Sequence, residues 1–263
     1  SLKYGTHGTP VDAWGDVAGA GAIMDAVGVP MSDDTYYLMN PFTTTSLASA
    51  QSGLNASDGL VRTAWEKAQI SSNFGGMAAL TSNSLSTFTS GAGADRVGAL
   101  SASPDVSYLS HKDTMQQTLA VNAFQASMVV KAGDMVTVTG VNRLNVSTRQ
   151  PMIDASGANV LWTGVVVADV TLSGTGTGNI VVAGPAIYEA AGQYNTVDAA
   201  PVITDVVTLL SAASTLYQPN LFYTKQAFGL GTVKLPKLYA TDTVATTSDG
   251  MSIPLSASSW TLR

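Results

Sequence analysis

Cysteine is absent from this chain, which removes disulfides, thiolate nucleophiles and thiolate metal sites together. That fits a reducing compartment without requiring one. Histidine is almost absent as well: His7 and His111 are the only two, and neither has a second histidine at metal-ligand spacing. Charge is scarce. Asp, Glu, Lys and Arg make up 11% of the residues, against about 25% in an ordinary globular protein. Ser, Thr, Ala, Gly and Asn must therefore form most of the surface. The balance is acidic, net −6, so a general nucleic-acid coat, which needs a basic face to release counterions, is excluded. No apolar run is long enough to span a bilayer, and no signal-peptide pattern is seen. A weakly charged exterior suits a protein packed against copies of itself. It equally suits a secreted β-rich protein with a neutral surface.

What the chain does contain is organised around Thr35 to Gly53. Thr35 to Met39 is a short β-branched and aromatic run that reads as a buried strand. Asn40-Pro41 stops it, since Pro41 has no N–H and disfavours helical angles at Asn40. The hydroxyls of Thr43 to Ser46 then offer an N-cap for a short helix over Leu47 to Gln51, ending near Gly53. Pro219-Asn220 repeats this grammar before a strand at Leu221 to Thr224. Upstream, Thr9-Pro10-Val11-Asp12 predicts a helix start. Trp14, Val17, Ala18, Ile23, Met24 and Val27 would form its buried face, with Gly28 and Pro30 as the stop. Asp198 to Ser214 carries a similar stripe (Val202, Ile203, Val206, Val207, Leu210) and predicts a second helix. A third is predicted over Ser57 to Gln69, with Arg62 and Glu66 paired four apart on its exposed side. Ser71 to Gly93 reads as extended chain.

Between about Ala99 and Val197 the period changes to two. Strands are predicted at Leu119–Phe124, Met135–Thr139, Leu161–Val167, Ile180–Ala183 and Ala186–Tyr188. Lys131 to Asp134 is a tight turn, and Gly174 to Gly178 is a hairpin tip. Many short strands without helices predict a small barrel, entered and left by neighbouring loops of an α/β layer. The fold class expected is thus α+β: helices on a central mixed sheet, discontinuous in sequence, with an all-β barrel inserted.

Three stretches, in this order, carry a family likeness: Trp14 to Pro41; Asn73 to Gly93; and Val130 to Val141, with Gly184 to Tyr188 echoing the last. Together they resemble the major coat (capsid) proteins of tailed bacteriophages, in the Salmonella-phage subgroup with an inserted β-domain. The resemblance implies an apical α/β domain over 1–98 and 198–263, and an insertion barrel over 99–197. It implies a structural subunit, not an enzyme, that self-assembles into an icosahedral shell around the genome. Partners would be copies of itself in capsomers, with scaffolding and portal proteins. There would be no cofactor and no specific nucleic-acid or membrane binding. The location would be the virion, assembled in the host cytoplasm. The family's N-terminal arm, extended loop, backbone helix and closing peripheral strands have no counterpart here. With Ser1 at one end and a strand-like Trp260–Arg263 at the other, a piece of a longer chain is expected.

Nothing in the residues predicts a catalytic or metal site. Asp33 and Asp34 are adjacent, so their side chains diverge. Gly174 to Gly178 lacks the Lys-Ser/Thr and following helix of a phosphate loop. Trp14, Tyr36, Tyr37, Trp65, Phe222 and Tyr223 are expected in the core. The candidates that remain are Lys112 and Asp113 at one polar tip of the barrel section and Arg143 and Arg149 at another, as ion pairs between neighbouring subunits. The other function considered is a secreted adhesin or carbohydrate-binding β-rich protein. It would need exposed aromatics beside carboxylates on one barrel face, and the section's aromatics are scattered.

Overall fold

A computed structural model describes residues 2–29, 34–52, 62, 66–68 and 70–228. The fold is mixed, with few helices, a small sheet and a closed barrel.

The sheet is four-stranded. Its strands are β1 (Thr35–Met39), β2 (Asn73–Phe74), β3 (Met77–Thr81) and β14 (Leu221–Thr224), in the order β14-β1-β3-β2. β1 runs antiparallel to β14, with Tyr36 opposite Tyr223, and parallel to β3, with Tyr36 beside Ala78. The strands predicted at Thr35 and Leu221 are therefore neighbours in one sheet. Alternation along β1 buries Thr35, Tyr37 and Met39 on one face. Helices α1 (Trp14–Val27) and α2 (Pro41–Ser52) add Val17, Ala20, Met24 and Leu47 to that core, and β2 and β3 add Phe74 and Met77.

Both helices begin elsewhere than the sequence predicts. α1 starts at Trp14, not Pro10. Asp12 and Asp16 each suit the third position of a helix; Asp16 prevails because its carboxylate accepts the N–H groups of Asp12 and Ala13, at 3.3 and 3.2 Å. Trp14 consequently sits in the opening turn, 53% exposed, and not in the core. The predicted stop holds: Gly28 takes φ +105° and donates to Asp25 O. α2 begins at Pro41 itself. Asn40 caps it, its Oδ1 accepting from Thr43 N at 2.7 Å, and the proline occupies the first turn, where no donor is missed. The helix predicted over Ser57 to Gln69 lies mostly outside the described residues, as do Asp33, Trp65 and Trp260–Arg263; within it, Arg62 and Glu66 do pair at 2.8 Å.

The chain then passes through β4 (Phe88–Thr89) into the barrel. Its six strands are β5 (Val97–Leu100), β6 (Gln116–Asn122), β8 (Met135–Asn142), β9 (Leu161–Val166), β11 (Gly178–Ala183) and β12 (Val206–Leu209). They close in the order β11-β6-β5-β12-β8-β9, every neighbouring pair antiparallel. Leu119, Val121, Val136, Val138, Trp162 and Ile180 point inward. The Trp162 indole N–H donates to Gly184 O, and buried Gln117 bonds the backbone of Asp105 and Ala186, so these two buried polar side chains are satisfied. Short ladders β7 (Val129–Val130) with β10 (Val170–Thr171), and β13 (Leu216–Tyr217) with β4, complete the strands. Before β6 the chain makes a single helical turn, α3 (Tyr108–His111).

One predicted helix is a strand. Asp198 to Ser214 contains β12, with Val207 and Leu209 inward and Val202, Ile203 and Val206 exposed. The β-branched run Val-Val-Thr-Leu favours a strand, and the barrel needs a member between β5 and β8, an argument outside any local window. Ala186–Tyr188, predicted as a strand, is loop. The two predicted turns are present. Asp134 N donates to Lys131 O, and the Gly174–Gly178 turn is closed by Ser173 N to Thr177 O at 2.9 Å. Gly176 there has φ +70°, and a Cβ would stand 1.8 Å from Phe124 O, so only glycine fits.

Candidate inter-subunit surface

The candidate residues sit on loops at the barrel's ends. Lys112 and Asp113 follow α3 and are exposed; neither makes an ion pair with a described residue. The turn beneath them is firmly built. The Ser110 hydroxyl, with Ser107 N donating at 2.9 Å, holds the Asp105 carboxyl pKa down to about 2. His111, at the end of the same turn, is buried, with Nε2 2.8 Å from Asp105 O.

Arg149 is exposed but engaged. Its Nη1 donates to Asn195 O at 2.9 Å and its Nη2 to Gln193 O. Two carbonyls orient this guanidinium without neutralising it. Arg143 is half-buried, and burial pulls its pKa down. The 189–195 loop brings the two tips together. It receives Arg149 on one side. On the other, Tyr194 stacks on Tyr108 of α3 at 4.2 Å, and Glu189 accepts Tyr108 N. An open pocket of about 340 Å³ lies against this loop, lined by Arg149, Tyr188, Asn195 and Asp198 among others. It holds no pair of groups placed for acid–base chemistry, since Asp198 is spent on Asn142 N and Nδ2 at 2.8 and 2.7 Å. Among the described residues no cluster of His, Asp and Glu could hold a metal ion.

Sequence reasoning missed the most buried charges. Arg96, just before β5, and Asp134, just before β8, form an ion pair closed by Ser211, just after β12. Their side chains are 6% and 0% exposed. A lone arginine and a turn aspartate far apart in sequence carry no local signature of such a pair.

The P22 coat protein (gene protein 5) family matches residues 2–259. The chain belongs to the P22 coat protein family. A major capsid protein of Acyrthosiphon pisum secondary endosymbiont phage 1 is 39% identical over 258 residues, which is 96% of this chain. The chain spans 60% of the length of that relative. Among solved structures, the CUS-3 coat protein I-domain aligns with 44% of this chain and 96% of its own length, at 20% identity and a TM-score of 0.30. This P22 coat protein family member thus bears out the likeness read from Trp14–Pro41, Asn73–Gly93 and Val130–Val141.

Proposed function

We propose that the chain is the main body of a phage capsid subunit and that its work is geometric. Many copies repeat moderately weak contacts, and a closed shell gains stability from their number. The observation that carries this reading is the 39% identity to a phage major capsid protein along 96% of the chain. No feature described above favours a carbohydrate module.

The domain organisation proposed is a discontinuous α/β apical domain interrupted by the barrel. The pairing of β1 with β14, with every barrel strand between them in sequence, supports it. The barrel's strands run from Val97 to Leu209, slightly wider than the 99–197 read from periodicity. The partners proposed are copies of the same subunit, with scaffolding and portal proteins, and assembly in the host cytoplasm before residence in the virion. Lys112, Asp113, Arg143 and Arg149 are the proposed contact residues. Asp113 of one copy would meet the un-neutralised Arg149 of the next.

Mass spectrometry of purified particles tests the role: peptides of this chain should be the most abundant, and their absence from particles overturns the reading. For the contact residues, Asp113→Lys in the full-length protein should lower particle yield, and adding Arg149→Glu should restore part of it. Unchanged yield in the single variant removes the pair.

A further inference from the structure

The loop at 145–150 makes a contact that neither the family reading nor the sequence anticipates: it completes the end of α1. An α-helix leaves its last four carbonyls without intrahelical donors. In α1, Met24 O and Asp25 O accept from Val29 N and Gly28 N, at 3.0 and 2.9 Å, in the left-handed turn at Gly28. The other two carbonyls accept from the barrel section. Ala26 O takes Asn145 Nδ2 at 2.5 Å, and Val27 O takes Val146 N at 3.0 Å. The approach is close: a Cβ on Gly28 would lie 3.3 Å from Ser147 Oγ.

The loop is shaped before it reaches the helix. Asn145 Oδ1 accepts Ser147 N and Thr148 N at 2.8 and 2.9 Å, which also fixes the amide so that Nδ2 faces Ala26. Asn145 and Gln150 bond backbone to backbone at 3.0 Å. Arg149 then ties the loop to Gln193 and Asn195.

We propose that this loop is a latch: a rigid piece of the barrel section that caps α1 and makes the order of that helix depend on the barrel being folded and in place. Release would leave two carbonyls at the negative end of the helix dipole to water and let the last turn open.

The inference stands apart from the shell role and is tested on this chain as it is. Asn145→Asp keeps the oxygen that accepts Ser147 and Thr148, so the loop keeps its turn. It replaces the donor with a carboxylate aimed at a helix C-terminus, which repels it. Asn145→Ala removes donor and turn together. In native-state hydrogen exchange, amides in the last turn of α1 (Met24, Val27) should exchange about tenfold faster in both variants, the effect of one lost hydrogen bond. Amides of Leu119, Val138 and Val182 in the barrel should keep their protection. Unchanged exchange in α1 overturns the latch. So does equal acceleration in the barrel, which would make the loop part of the barrel core and nothing more.

Discussion

Asp134→Asn is a small change for which the structure defines a large cost. The carboxylate is fully buried and fully used. Oδ2 accepts from Arg96 Nη2, and Oδ1 accepts from Ser211 Oγ at 2.6 Å and Met135 N at 2.9 Å. Arg96 in turn donates Nη1 to Gly91 O at 3.1 Å and Nη2 to Ser211 Oγ at 2.9 Å, while its Nε has no partner among the described residues. The asparagine amide would aim N–H groups at a guanidinium that has only donors, and the arginine charge would stay buried without an anion. Removing one partner of such a pair costs about 3–5 kcal/mol. Set against total stabilities of about 5–15 kcal/mol, that is a large share for one atom exchanged. Urea unfolding followed by circular dichroism gives the number. The refuting result is a cost below about 1 kcal/mol, which would mean that water or a side-chain shift rescues the arginine. The double variant Arg96→Met/Asp134→Leu separates charge from shape. It removes both ions and should be far less damaged than either single change. If its loss equals the sum of the singles, the pair is not acting as a pair, and the reasoning fails.

Two further predictions rest on local geometry. Burial, with the positive charge of Lys3 nearby, pushes the His7 pKa below its ordinary value near 6.5, and Asp134 offsets this only in part. The unfolded chain therefore takes up the proton first, so the stability held by neutral His7 is complete above about pH 6.5 and is lost as pH falls towards the folded pKa. Unfolding midpoints between pH 8 and 5.5 should show this decline, and His7→Gln should flatten it; the same slope in the variant would assign it to another group. Asn40→Ala removes the cap of α2, its Thr43 contact and its bond to Gln218 at 2.8 Å, and should cost about 1 kcal/mol in thermal or urea unfolding, whereas a change under a few tenths would show the cap to be idle.

The legible parts of this chain are those decided within a few residues. β1 is a short run led by β-branched and aromatic residues and stopped by Asn40-Pro41. The turn at Lys131–Asp134 and the stop at Gly28 follow from glycine and turn chemistry alone. The errors lie where two local readings compete and something distant chooses. Asp12 and Asp16 both fit a helix start, and only the carboxylate's reach decides between them. The stripe from Val202 to Leu210 matches helical spacing as well as alternation, and the vacancy between β5 and β8 chooses the strand. At the candidate surface the sequence located the exposed pair Lys112 and Asp113, because solvated charge at a turn is a local matter. It did not show Arg149 bound to carbonyls 44 and 46 positions away, nor Arg96 paired with Asp134, since such partners meet only when the barrel closes.

Two of the joins at the edges of the apolar clusters are polar. One cluster fills the barrel and the other lies between α1, α2 and the sheet, and they have no residue in common. Where the chain enters and leaves the barrel, Arg96, Asp134 and Ser211 are backed by Ser90, which accepts Thr215 N and donates to Ala212 O. Where the barrel's loop meets α1, the contact is Asn145 and Val146 on carbonyls. An apolar seam of similar extent would add stability in proportion to area but would tolerate sliding. Hydrogen bonds to fixed backbone groups are worth only about 0.5–1.5 kcal/mol each, yet they are satisfied at one orientation and not a few ångströms away. Under the proposed shell role, in which every copy presents the same outline, such directional joins contribute more than another increment of burial.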